Sequence, residues 1–172
     1  AKEDGSIDQK AFYYLQQVES GNTEMVQKFK EITDICVERQ LQIFDTLDIH
    51  FDVFTHESDF VYNNYLDNIL KRLDKTGRLQ EDELGRLYVD LSGYDIPTRE
   101  PVLVLTRSNK TSLYPMRDIA YTIHKIELNP KNNFIVLGED QEVYMKQISA
   151  VLDILGYKAP KLISYSYVLL DG

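Results

Sequence analysis

Apolar residues recur at helical spacing through most of the first 75 residues. Three helices are predicted there: residues 7–19 up to a stop at Ser20-Gly21, a second helix capped by Asn22 or Thr23, and a third that starts at Ser58 and ends near Gly77. The segment LDIHFDVF, around residues 47–54, alternates between apolar and polar positions and is predicted as a strand. The first part of the chain is therefore expected to be mostly helical with one strand.

The pattern changes after Pro101, where short apolar runs alternate with helical stretches. Residues 78–100, just before it, are less regular: RLYVDL is compatible with a short strand, and SGYDIPTRE indicates a loop. Beyond them, strands are predicted near 102–105, 133–137 and 162–168, and helices over 115–128 and 140–155. This strand and helix order predicts a parallel sheet with right-handed crossovers, so the fold class is α/β.

Composition and charge narrow the class of protein. Of the 172 residues, 43% are hydrophobic and 27% are charged, as in an ordinary soluble globular domain. The net charge of −9 disfavours a free-standing nucleic-acid-binding module. Neither a membrane span nor a signal peptide is expected from the patterning. Cys36 is the single cysteine, so it cannot form an internal disulfide; it is expected in the core of a protein from a reducing, cytosolic setting.

Several sequence motifs with defined chemistry are absent. The chain has no GxxxxGK[ST] loop to cradle phosphates, no GxGxxG and no GxSxG nucleophile elbow. Its histidines, His50, His56 and His124, are scattered and have no cysteine cluster beside them, so no metal site is predicted. The residues by themselves thus predict a soluble acidic α/β domain and leave its function open.

Three segments are similar to one family, the arginyl-tRNA synthetases. Residues 106–125, TRSNKTSLYPMRDIAYTIHK, resemble the family's Arg-Ser-Asp-Gly-Thr hairpin and the Tyr-x-x-Arg-Asp-Ile-Ala-Tyr helix that follows it. Residues 135–147, IVLGEDQEVYMKQ, resemble its strand-glycine-x-x-Gln-helix segment, and residues 51–60, FDVFTHESDF, its Phe-Asp…Glu-Ser segment. The spacing between these segments also fits, so the resemblance covers nearly the whole chain.

The resemblance implies a class I synthetase that activates L-arginine with ATP, dependent on Mg²⁺, and transfers it to tRNA(Arg) in the cytoplasm. The implied fold is half of a Rossmann-like parallel sheet with flanking helices, preceded by a mostly helical segment. On this basis residues 1–75 are the helical segment of the catalytic-domain insertion, and residues 76–172 are the second half of the catalytic domain.

The family's two ATP-contacting signatures are a His-Ile-Gly-His-like sequence, expected upstream of Ala1, and a Lys-Met-Ser-Lys-like loop, expected after Gly172. Neither signature occurs within residues 1–172. The chain is therefore interpreted as a fragment that is inactive alone, and its uncovered strand edges predict self-association.

The resemblance also places the arginine pocket. Asp118 matches the carboxylate that takes the guanidinium, Tyr114 the tyrosine four residues before it, and Glu57 a second acidic contact. Gln141 matches the glutamine that helps to bind the amino-acid end of the substrate. Residues four apart at a helix start share a face, which agrees with Tyr114 and Asp118 acting together. No residue is assigned a catalytic role as a general base.

Each of these residues has an ordinary structural explanation when it is considered alone. Asp118 can simply favour the dipole of its helix, Glu57 can be a solvated residue at a helix start, Tyr114 a core residue, and Gln141 a first-turn residue. Two other functions therefore stay open: a free-standing, non-catalytic module that binds an arginine-like ligand, and a structural or interaction domain with an acidic face.

One position departs from the family pattern within the best-matched segment. The family's Asp-Gly is Asn109-Lys110 here, and a glycine adopts positive φ more easily than a lysine does. A two-residue primed turn is thus less secure in this chain, which affects the expected geometry of the hairpin.

Overall fold

The computed structural model describes residues 5–56, 58–61 and 65–166. The chain divides between residues 62 and 63 into two units, each with its own packing. This division places the helix after residue 64 in the same unit as the strands.

The first unit contains α1 (Gly5–Glu19), α2 (Thr23–Thr46) and α3 (Ser58–Val61). The predicted cap of α2 is confirmed, because the Asn22 Oδ1 accepts a hydrogen bond from the Met25 N–H at 3.1 Å. No residue of α2 is buried, and Ile32 keeps 64% of its side chain exposed. The expectation that Cys36 lies in a core is wrong, since its side chain is exposed as well.

The strand predicted over residues 47–54 is also wrong. α2 continues to Thr46, the chain turns at Asp48 with φ +55°, and no strand occurs among the described residues up to 61. A strand needs a neighbour to receive its backbone hydrogen bonds, and the described part of this unit offers none. The aromatic residues pack on one another instead: the Phe51 ring lies edge-on to Phe44 at 5.1 Å and to Phe54 at 5.6 Å.

The second unit opens with α4 (Tyr65–Asp74), which buries Ile69 and Leu73. A three-stranded antiparallel sheet follows, formed by β1 (Leu79–Glu81), β2 (Leu87–Asp90) and β3 (Val102–Val104) in that order. Within the described residues β3 pairs antiparallel with β2, so the prediction that β3 lies in a parallel sheet is wrong. The loop after β2 turns the chain back, and the Leu91 N–H donates to the Pro101 carbonyl at 2.8 Å, so β3 returns alongside β2 in the opposite direction.

The parallel part of the prediction is confirmed by β4 (Phe134–Gly138) and β5 (Lys161–Tyr165), which pair in parallel from Phe134–Lys161 to Gly138–Tyr165. α6 (Glu142–Ile154) connects them, as a crossover between parallel strands requires. The final predicted strand extends to residue 168, and residues 167–168 lie outside the described part. Together with the helices, this pair confirms the α/β class.

Two helices provide most of the buried core of the second unit. α5 (Tyr114–Glu127) has Pro115 in its first turn, as predicted, and buries Met116, Ile119, Ala120 and Ile123. α6 packs against α5 and buries Met145, Ile148, Val151 and Leu152. A 3₁₀ turn (Glu139–Gln141) joins β4 to α6.

One face of the parallel pair is exposed and apolar. Register places Phe134, Val136, Ile163 and Tyr165 on this face, and each keeps about half of its side chain or more in solvent. Exposed apolar patches of this kind favour association. Among the described residues, no helix is both long enough and apolar enough to cross a bilayer.

Candidate functional site

The start of α5 is fixed by a buried polar hairpin. Thr106 and Ser112 form an isolated antiparallel bridge, and both side chains are buried. The Thr106 hydroxyl accepts from the Leu87 N–H at 2.9 Å, which ties the hairpin to β2. The Leu113 N–H then donates to the Leu105 carbonyl at 2.8 Å, immediately before the helix begins. The antiparallel sheet therefore sets the direction in which α5 leaves the hairpin.

At the tip of this hairpin, Lys110 stands where the family pattern has glycine. Lys110 adopts φ +66°, the conformation that glycine adopts most easily, and its N–H donates to the Arg107 carbonyl at 3.0 Å. The Arg107 N–H donates to the Thr111 carbonyl at 2.9 Å, so residues 108–110 form the loop and the turn is longer than two residues. The Lys110 ammonium reaches Glu81 Oε1 and the Gly85 carbonyl, both at 2.8 Å.

We expect Lys110→Gly to be more stable than Lys110→Ala by about 1 kcal/mol, because only alanine keeps a Cβ in the left-handed conformation. Both variants lose the exposed ion pair with Glu81, so the comparison isolates the backbone term. Urea unfolding of the two variants measures the difference. Equal stabilities, or a more stable alanine variant, would contradict the positive φ at this position.

Tyr114 and Asp118 lie one turn apart on α5, and a third side chain brings them together. The Tyr144 hydroxyl, from the first turn of α6, donates to Asp118 Oδ2 at 2.5 Å. Its ring lies 5.2 Å from the Tyr114 ring, centroid to centroid, with 47° between the planes. Tyr114 is 55% exposed, whereas Asp118 and Tyr144 are half-buried. The result is a carboxylate that accepts from one tyrosine, whose ring packs against a second tyrosine ring that is open to solvent.

Lys125, on the same helix, is a charged residue that interacts with the Asp118 carboxylate. Burial lowers the pKa of the Lys125 ammonium, while the negative charge of Asp118 acts in the opposite direction. The Lys125 Nζ lies 4.5 Å from the centroid of the Tyr121 ring. Asp118, Tyr121 and Lys125 thus occupy successive turns of the α5 face that begins with Tyr114.

Gln141 lies at the carboxyl end of β4, where the 3₁₀ turn passes into α6. Its side-chain amide donates to Asp140 Oδ2 at 2.7 Å. The Ser166 hydroxyl, which follows β5, donates to Glu139 Oε2 at 2.7 Å and holds the ends of the two parallel strands close. The carboxyl ends of parallel strands are the usual position of ligand sites in open α/β sheets.

The structure links Tyr114 and Asp118 through Tyr144, and it places Gln141 at the end of β4 with its side-chain amide bonded to Asp140. Glu57, the remaining predicted contact, lies outside the described residues. Sequence reasoning missed Tyr144, because its spacing to Ile148, Val151 and Leu155 is that of an apolar helix face. The sequence signal that could have found Tyr144 was its position three residues after Gln141, a predicted substrate contact. The described residues contain no group of three or more His, Cys, Asp or Glu side chains suited to a metal ion.

Comparison with known proteins identifies the family. Residues 1–170 match the model of the class I arginine tRNA synthetases, catalytic domain. An arginine–tRNA ligase of Methanococcus maripaludis is 37% identical over 158 residues, which are 91% of this chain and 27% of that protein. The ligase of Methanothermobacter thermautotrophicus is 33% identical over 171 residues, 98% of this chain and 29% of that protein.

Solved structures show the same fold. The arginyl-tRNA synthetase of Thermus thermophilus superposes with a TM-score of 0.73 at 20% identity, covering 100% of this chain and 34% of that one. The enzyme of Plasmodium falciparum gives a TM-score of 0.71 at 16% identity, covering 98% and 28%. The chain spans less than a third of the length of these two curated ligases. It belongs to the family of class I arginyl-tRNA synthetase catalytic domains.

Proposed function

We propose that this chain serves as the arginine-recognition part of an arginyl-tRNA synthetase, and that Asp118 binds the guanidinium group of L-arginine. The observation that carries the proposal is the half-buried Asp118 carboxylate, which accepts from the Tyr144 hydroxyl while the Tyr144 ring packs against Tyr114. The family membership supports the reaction class, since the relatives are named arginine–tRNA ligases.

The chemistry of this cluster suits a guanidinium group. A guanidinium is planar, is always charged and presents N–H donors in a fixed fork that a carboxylate accepts in pairs. Its flat face also stacks on aromatic rings, and the exposed Tyr114 ring offers such a surface. A lysine ammonium lacks both the fork and the plane, so the same cluster would hold lysine poorly.

The other predicted contacts complete the proposal. Gln141, at the carboxyl end of β4, is assigned to the amino-acid end of the substrate, and Glu57 to a second contact with the guanidinium. Residues 1–75 would then be the helical insertion of the catalytic domain and residues 76–172 its second half. In the complete cytoplasmic enzyme, ATP and tRNA(Arg) are the co-substrates.

Activation of arginine by such an enzyme joins the amino-acid carboxylate to the α-phosphate of ATP and releases pyrophosphate. This chain's residues contribute by positioning the substrate, which can supply much of the rate enhancement without any general base. Mg²⁺, when bound with ATP, would neutralise charge on the phosphates. No described residue of this chain is assigned to the ion.

The test compares substrates in the complete enzyme by amino-acid-dependent pyrophosphate exchange. We expect L-arginine to support exchange and L-citrulline, which is nearly isosteric but carries no charge, to fail. Lysine should fail as well, because its charge is not presented on a planar fork. Exchange with citrulline at arginine-like KM would overturn the assignment of a carboxylate to the guanidinium. Binding of arginine without any exchange would instead favour a non-catalytic arginine-binding module.

A further inference from the structure

We propose that Tyr144 is a positioning residue for arginine, which acts by fixing the orientation of the Asp118 carboxylate. The inference rests on the proposed function, since it assigns a role in the same pocket to a residue that neither the sequence resemblance nor the reaction class identifies. It is carried by one hydrogen bond and one ring contact between α5 and α6.

The hydrogen bond restrains a torsion that is otherwise loose. The carboxylate of an aspartate turns about its χ2 angle in a broad, roughly two-fold well, so packing of the helix alone does not set its plane. A bidentate contact with a guanidinium requires that plane to be fixed, because the two N–H bonds of the fork are coplanar. The Tyr144 hydroxyl, 2.5 Å from Asp118 Oδ2, supplies a charge-assisted bond that sets it.

Tyr144 is itself well placed to act as a fixed donor. It lies in the first turn of α6, and the neighbouring residues Met145 and Ile148 are buried in the core. Its ring is half-buried and rests against the Tyr114 ring at 5.2 Å. The hydroxyl is therefore carried by a rigid aromatic side chain on a packed helix, and the Asp118 carboxylate orients itself to accept from that hydroxyl.

The geometry also leaves the carboxylate able to bind a substrate. A carboxylate has two oxygens and about four lone-pair sites, and one hydroxyl donor occupies one of them. The remaining sites are enough for both N–H groups of a guanidinium fork. Tyr144 thus orients Asp118 without competing for the bidentate contact.

Tyr144→Phe in the complete enzyme tests the role, because it removes the hydroxyl and keeps the ring. We expect the KM for arginine in pyrophosphate exchange to rise about tenfold, at the lower end of the range for loss of a hydrogen bond to a charged group. The KM for ATP, the kcat and the thermal midpoint should stay close to those of the parent. The matched control is Tyr94→Phe, which removes a tyrosine hydroxyl that donates to Asp153 Oδ2 at 2.7 Å elsewhere in the same unit. That control should leave the KM for arginine unchanged.

A double-mutant cycle with Asp118→Ala separates the two hypotheses. With the carboxylate absent, we expect Tyr144→Phe to add no further increase in the KM for arginine. Should Asp118→Ala itself leave that KM unchanged, the proposed function of the pocket fails. If Asp118→Ala raises the KM while Tyr144→Phe changes it less than twofold, only the positioning role is overturned. The positioning role is also overturned if Tyr144→Phe acts equally with and without Asp118, or raises the KM for ATP in parallel.

Discussion

Asp118→Asn is expected to raise the KM for arginine by about a hundredfold or more in the complete enzyme. Removal of one partner from a desolvated, hydrogen-bonded charge pair typically costs roughly 3–5 kcal/mol. The amide retains one acceptor oxygen, but its NH₂ group faces the N–H donors of the guanidinium. The loss should therefore fall on substrate binding, which pyrophosphate exchange at varied arginine concentration measures.

The same substitution should leave the fold intact. Asparagine has nearly the shape of aspartate, and its oxygen can still accept from the Tyr144 hydroxyl. Asp153→Asn is a suitable control, because Asp153 also accepts from a tyrosine hydroxyl but lies on the exposed side of α6. An Asp118→Asn enzyme with a parental KM for arginine would contradict the site assignment. A control with an equally raised KM would do the same.

Ile119→Ala is expected to lower the free energy of unfolding by about 2–5 kcal/mol, the usual range when a buried isoleucine is truncated. Ile119 is 0% exposed and lies on the α5 face that forms the core with Met116 and Ile123. Truncation removes three methyl or methylene groups and leaves a cavity that the packed neighbours fill only in part. Urea unfolding of the chain, followed by circular dichroism, gives the difference.

The control for this prediction is Leu128→Ala, at the end of the same helix. Leu128 is 68% exposed, so its truncation should change the unfolding free energy by no more than about 0.5 kcal/mol. A similar loss for both variants would show that α5 does not bury one face as described. Asp118 and Ile119 are adjacent in sequence, yet the first change is expected to act on binding and the second on stability.

The helices around the site were predictable from local chemistry. Pro115 fits the first helical turn and apolar residues at helical spacing set the buried face, so the sequence predicts α5 almost to its ends. Gly156, with φ +81°, similarly ends α6 near its predicted position. The pairing of β4 with β5 follows from the helix between them, since such a crossover brings the second strand back parallel to the first.

The partner of β3 and the role of Tyr144 depend on long-range contacts that local patterns do not contain. β3 is an apolar run that suits either sheet, and its pairing with β2 is set by the loop that ends at Pro101. Tyr144 has an apolar ring and a polar hydroxyl, so its helical spacing is equally compatible with a core residue and with a hydrogen-bond donor. The same limit explains residues 47–54, where alternation indicated a strand but the described chain supplies no strand beside it.

Lys110 has an evolutionary consequence that follows from its ammonium contacts with Glu81 and Gly85. A glycine at this position needs no help to adopt a positive φ, whereas a lysine does so while its side chain ties the hairpin tip to the turn between β1 and β2. Substitutions at positions 81 and 110 should therefore be inherited together among relatives. We expect relatives with glycine at 110 to vary freely at 81, and relatives with lysine at 110 to keep an acid there.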